Sequence, residues 1–90
     1  MLIDWDDKKN EANFKKHGVW FEEAQTVMTN PLTLMATNDH SSGVRMEYLG
    51  FSVSLRLLYV VTVEKTDEHI RIISARKATA SERSRCEKGI

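Results

Sequence analysis

Hydrophobic and polar positions change period twice along this chain. Leu57, Tyr59, Val61 and Val63 interleave with Leu58, Val60, Thr62 and Glu64. Both faces of residues 57–64 are therefore largely apolar, the pattern of a strand at the centre of a sheet. Residues 69–76, HIRIISAR, repeat the strand pattern and carry Arg71 and Arg76. Thr66-Asp67-Glu68 between the two runs predicts a hairpin turn. Residues 45–51 read as another strand, residues 2–5 as a short first one, and residues 32–36 as a short candidate. NDHSSG at 38–43 is a turn by composition.

The helical period appears at Phe21, Ala24, Val27 and Met28, which predicts a helix over 21–28 ended by Asn30-Pro31. Before it, Asp6 or Asp7 caps a helix reaching about His17. Lys15, Lys16 and His17 suit its C-terminal dipole, and Gly18 suits the left-handed position beyond. Thr79 or Ser81 caps a closing helix whose stretch 81–86 is too polar for deep burial of its own. The predicted fold is α+β, a single domain over 1–90 in the order β-α-α-β-β-β-α. Short turns between strands imply an antiparallel sheet with the N-terminal helices on one face. The tail or a partner must then cover part of the other face.

Composition narrows the class. Ninety residues with 41% apolar content can build one core, and 29% charged residues with few Gly and Pro argue against disorder. No apolar run approaches the roughly 20 residues of a membrane span. The opening Leu2-Ile3 and its acidic neighbours do not read as a secretory signal. Cys86 is the lone cysteine, so a cytoplasmic protein without internal disulfides is expected. The net charge of zero hides an asymmetry: residues 1–50 carry −3 and residues 51–90 carry +3. That imbalance suits a nucleic-acid face or an acidic partner.

Candidate chemistry is constrained by what the chain lacks. His17, His40 and His69 stand apart, with no paired-ligand spacing, and no glycine-rich phosphate loop or dinucleotide fingerprint occurs. No metal or cofactor is expected. Asp39, His40 and Ser41 are adjacent in sequence, which does not give triad geometry. The remaining set is Glu64, Arg71, Arg76, Lys77, Arg83 and His40. RNA cleavage suits it, because the ribose 2′-OH is a built-in nucleophile needing a base, cationic stabilisation of the phosphorane and an acid for the leaving oxygen. His40 or Glu64 would be the base, and Arg71, Arg76 and Lys77 the stabilisers. Plainer readings stand beside each: a charged edge strand, a cross-hairpin Glu64–Arg71 pair, a His40 bonded within its own turn. Trp5 and Trp20 could stack on bases, but core packing is expected of them. Lys9 and Lys16 lie on the basic side of the first helix, a solvated face or a phosphate track.

These residues also resemble a known family. Trp5-Asp6, Lys9, Asn13, Lys16-His17-Gly18-Val19, Phe21-Glu22-Glu23-Ala24 and Val27 are similar to the opening of the BrnT toxins. His40-Ser41, Gly50, Arg56-Leu57-Leu58, the segment 70–79 and Glu82-Arg83 are similar to the remainder. The resemblance implies a RelE-like fold, RNA cleavage that inhibits translation, and a toxin role in a type II toxin–antitoxin pair. It implies a BrnA-like ribbon-helix-helix antitoxin as partner, with operator DNA reached only through that antitoxin. It places Glu64, Arg71, Arg76 and Arg83 at the site, on an exposed sheet face; Lys77, Arg83, Lys9 and Lys16 are the RNA contacts expected from the distribution of basic residues. Many BrnT proteins carry a Tyr where this chain has Cys86. That departure motivates the alternative of a catalytically weak, antitoxin-binding module acting in operon autoregulation.

Overall fold

The computed structural model describes residues 1–40 and 43–88, apart from the side chains of Asp39, His40 and Lys88. The elements are β1 (Leu2–Asp4), α1 (Asp7–His17), α2 (Phe21–Met28), β2 (Leu34–His40), β3 (Gly43–Phe51), β4 (Leu57–Thr66), β5 (His69–Lys77) and α3 (Ala80–Lys88). They form an α+β fold around a five-stranded sheet of order β1-β5-β4-β3-β2, with β4 at its centre as its two apolar faces predict.

Two expectations change. The order gains a strand, because residues 34–40 pair with β3 continuously from Leu34↔Leu49 to His40↔Gly43. The polar residues 38–40 thus extend β2 where composition predicts a turn, because a ladder pairs backbone N–H and C=O groups, which every non-proline residue carries. Residues 41–42 of that turn lie outside the described residues. The sheet is also mixed. β1 lies parallel to β5, Leu2↔His69 to Asp4↔Arg71, while the other pairs are antiparallel. Parallel pairing needs a long crossover, and everything between β1 and β5 supplies it.

The core lies between the helices and one sheet face. Val19, Phe21, Ala24 and Val27 pack on Leu58, Val60, Ile72 and Ala75. Trp5 meets Phe21 edge-on at 6.3 Å. Trp20, expected in the core, is instead 41% exposed and stacks on Phe14 at 4.1 Å. As the residue before α2 it sits at the helix entrance, where its ring can cover a neighbour without entering the interior. A second cluster on the opposite sheet face joins Leu49 and Leu57 to Cys86 of α3. Cys86 is therefore buried within a helix that is otherwise polar.

α1 has no apolar stripe, and polar bonds attach it. Asp6 Oδ1 accepts from the amides of Lys8 and Lys9 at 2.8 and 3.1 Å. At its other end Gly18, at φ +70°, donates to the Phe14 carbonyl, the left-handed closure predicted. Its buried residues are two asparagines. Asn10 Oδ1 accepts from the Phe21 amide at 2.7 Å and so supplies the cap that Trp20 cannot. Asn13 Nδ2 donates to the carbonyls of Val19 and Ala75, and Asn13 Oδ1 accepts from the Ala75 amide at 3.2 Å. The Asn13 amide therefore pairs with β5 as a neighbouring strand would, beyond the point where β1 stops.

Candidate functional site

β4 defines the two sheet faces. Leu58 and Val60 enter the helix-side core, so Tyr59, Val61 and Val63 lie on the other face. Register carries that face across the sheet as rows: Arg45, Val63 and Arg71; Glu47, Val61 and Ser74; Leu49, Tyr59 and Arg76. Arg71 and Arg76 are five residues apart, and strict alternation would put them on opposite faces. The register skips Ile73, passing from Thr62↔Ile72 to Val61↔Ser74. This bulge returns Arg76 to the face of Arg71.

Each of these two arginines is already engaged. Arg71 donates to both Asp4 oxygens at 3.1 and 3.2 Å. His69 Nε2 lies 3.0 Å from Asp4 Oδ2. Arg71 first and His69 second hold the Asp4 carboxyl down to about 2. Arg76 grips Glu82 with two 2.8 Å bonds and lies 4.4 Å over the Tyr59 ring. Glu82 also accepts from the Thr79 amide at 2.9 Å while Thr79 Oγ1 accepts from the Glu82 amide at 3.1 Å. That reciprocal capping box starts α3, with Thr79, one of the two expected caps, in that place. The Arg76 guanidinium, chiefly, holds Glu82 down to about 2.

Beside Arg76 opens a cleft of about 240 Å³, walled by Leu34, Ala36 and Leu49, with Tyr59, Glu47 and Arg85 lining it. Tyr59 Oη donates to Glu47 Oε1 and Asn38 Nδ2 donates to Glu47 Oε2. Burial, and then its bond to Glu47, pushes the Tyr59 phenol up to about 12. The phenol therefore stays protonated and holds the carboxylate in place at any physiological pH.

The site expected from sequence is only partly assembled. Arg71 and Arg76 share a face. Glu64 does not join them: it pairs in register with Ile70 on the helix side, and Arg71 stands opposite Val63. Neither catalysis beside Arg76 nor a Glu64–Arg71 ion pair is available to it, because alternation along β4 turns Glu64 away. The backbone of His40 ends β2 opposite Gly43, and its side chain lies outside the described residues. Lys77, opposite Leu58, is exposed towards the helix side, and Arg83 is exposed on α3. Lys9 and Lys16 are exposed and line a separate groove of about 250 Å³ between α1 and β5 with His17 and Ser74. Sequence reasoning missed Arg45, Glu47, Tyr59 and Arg85. Alternation in residues 43–51 already sets Arg45 and Glu47 on one face; their alignment with Tyr59 needed the register.

Fold and site together define a small α+β protein whose open sheet face concentrates arginines and carboxylates. A family model described as the ribonuclease toxin, BrnT, of type II toxin-antitoxin systems matches residues 5–82. The chain belongs to this family. Among solved structures it resembles the Brucella abortus ribonuclease toxin BrnT, at 23% identity and a TM-score of 0.65, over 88% of this chain and 97% of that one. That likeness is one of fold. No curated protein matches. Among the described residues no helix is long and apolar enough to cross a membrane.

Proposed function

We propose that this chain is a metal-independent endoribonuclease of RelE-like fold, the toxin of a type II pair, which inhibits translation in the cytoplasm by cleaving RNA. Family membership and the bulge that brings Arg71 and Arg76 onto one face support the reading. The 2′-OH of RNA attacks the adjacent phosphorus, the bond to the 5′ oxygen breaks, and charge builds on the non-bridging oxygens. Guanidiniums placed on a sheet are rigid donors for that charge. Arg76 is held over Tyr59 and Arg71 beside Asp4, so each reaches a phosphate already oriented. Lys77 and Arg83 at the end of the strand and on α3, and Lys9 and Lys16 along the α1–β5 groove, supply further phosphate contacts. With Glu64 turned away, His40 is the base we retain. A ribbon-helix-helix antitoxin of the BrnA kind covers the open face, and operator DNA is reached through it.

Induction of the chain alone in bacteria is expected to arrest growth. Purified protein is expected to cleave single-stranded RNA in the presence of EDTA, and Arg76→Ala to lower the rate by about a hundredfold, the scale of removing one charge-stabilising donor. Normal growth at verified soluble expression, with no cleavage in vitro, overturns the enzyme reading. It leaves the antitoxin-binding module that Cys86 motivates. Tight binding of the antitoxin without cleavage identifies that case.

A further inference from the structure

The cleft beside Arg76 has chemistry of its own. Its walls are apolar, its floor carries one fixed carboxylate, and Arg85 lines it. At about 240 Å³ it is smaller than the roughly 300–1,000 Å³ of sites for drug-sized ligands, which suits one planar ring system. Glu47 is unusual for an exposed sheet face. Two neutral donors, Tyr59 and Asn38, bind it, one at each oxygen. A carboxylate offers about four lone-pair positions. Each Glu47 oxygen thus retains capacity for one further donor, and the two oxygens together fit a pair of adjacent N–H groups.

We propose that this cleft is a guanine-recognition subsite, with Glu47 reading the N1–H and N2–H edge of the base. The proposal rests on the ribonuclease reading above and adds its base specificity. Among the four RNA bases, guanine alone presents two neighbouring donors on its Watson–Crick edge. The amino groups of adenine and cytosine each adjoin an acceptor nitrogen, which would face a Glu47 lone pair. Uracil sets its single N–H between two carbonyl acceptors. Leu34, Ala36 and Leu49 supply apolar contact for the ring, as sites that hold an unstacked base do. Arg85 favours the electron-rich O6 or a phosphate and opposes a cationic side chain. A base is therefore favoured over an arginine or lysine from a protein partner. Arg76 lies 4.4 Å over the ring of Tyr59, which lines the cleft, and so puts a phosphate-binding group near a bound base, linking base reading and cleavage in space.

The test pairs nucleotide binding with cleavage mapping. The full chain is titrated with GMP, IMP and AMP, followed by NMR shifts and calorimetry, and is then given a random single-stranded RNA pool with EDTA present. GMP is expected to bind about tenfold or more tighter than AMP, the scale of a charged hydrogen bond, with IMP between them because it lacks the 2-amino group. Cleavage ends are expected to cluster at guanines. Glu47→Gln should remove both preferences, and Tyr59→Phe, which keeps the ring but releases the carboxylate, should weaken them. Equal binding of GMP and AMP overturns the proposal on wild-type protein, whether or not the variants fold. Guanine-selective binding without RNA cleavage keeps the subsite and rejects the ribonuclease reading. Cleavage without guanine preference rejects the subsite and keeps the ribonuclease. Displacement of bound GMP by an arginine-rich peptide, with tighter peptide binding that Glu47→Gln abolishes, assigns the cleft to a protein partner and overturns the proposal.

Discussion

At the residue scale, acids and bases here are matched pair by pair. Arg71 holds Asp4, Arg76 holds Glu82, and Arg56 holds Glu23. The last pair is structural: Glu23 also accepts from Ser52 Oγ at 2.7 Å, and Arg56 Nη2 donates to the Gly18 carbonyl at 3.2 Å. It fixes the loop between β3 and β4 to α2. Asp4 and Glu82 are both held down to about 2. Their unfolded counterparts titrate near about 4, so the unfolded chain binds more protons between those values. Both groups therefore contribute stability above about pH 4, and it is lost as pH falls towards 2. Urea midpoints measured from pH 5 to pH 2.5 are expected to drop, and Glu82→Gln is expected to flatten part of that slope while lowering stability at neutral pH. An unchanged slope in Glu82→Gln would show that Arg76 does not hold the carboxylate in solution.

At the element scale, close approaches decide which residues a strand can carry. A Cβ on Gly50 would lie 2.2 Å from Thr33 Oγ1 and 3.1 Å from the Thr33 Cα. Thr33 cannot simply swing away, because its hydroxyl donates to the Val27 carbonyl at 2.7 Å and closes the end of α2. Gly50→Ala is thus expected to destabilise by about 1–3 kcal/mol, the cost of overpacking a fitted contact. Thermal melts of Gly50→Ala and of Gly50→Ala with Thr33→Ser check this. The double variant should recover little, since the serine keeps the offending oxygen. α3 illustrates the converse. Its sequence is polar throughout, yet Cys86 against Leu49 and Leu57 is enough to seat it, with the Thr79–Glu82 box fixing where it begins. Periodicity could not anticipate that, because one apolar residue makes no stripe.

At the scale of the whole molecule, an apolar core joins α2 to the sheet, whereas the buried residues that join α1 to it are polar. Asn13 joins α1, the turn after it and β5 through its bonds to Val19 and Ala75. Asn13→Ala leaves the Ala75 amide and carbonyl buried without that partner. A loss of about 2–4 kcal/mol is expected, from unsatisfied buried groups at about 1–3 kcal/mol each, partly relieved by water. Chemical denaturation measures it. Asn13→Asp should fare no better than Ala, since a carboxylate cannot donate to either carbonyl. A loss below about 0.5 kcal/mol would show that β5 does not depend on this substitute strand.

The sequence by itself determined the local elements. Caps, turn residues and apolar spacing are short-range signals, and they placed α1, α2, the β4–β5 hairpin and the Thr79 cap close to where they stand. It also carried the family likeness, through residues such as Asn13, Gly50 and Arg56 whose structural roles are now evident. What tertiary structure alone decided was pairing. β1 runs parallel to β5, β2 extends through a polar stretch, and a single skipped residue at Ile73 sets which arginines share a face. Side chains alternate with a period of two, so one residue of register reverses every face assignment beyond it. Register is a relation between distant strands, and no local pattern encodes it. For that reason Arg71 and Arg76 are legible as candidates from sequence, whereas the helix-side facing of Glu64 and the meeting of Glu47 with Tyr59 follow only from the register of the strands.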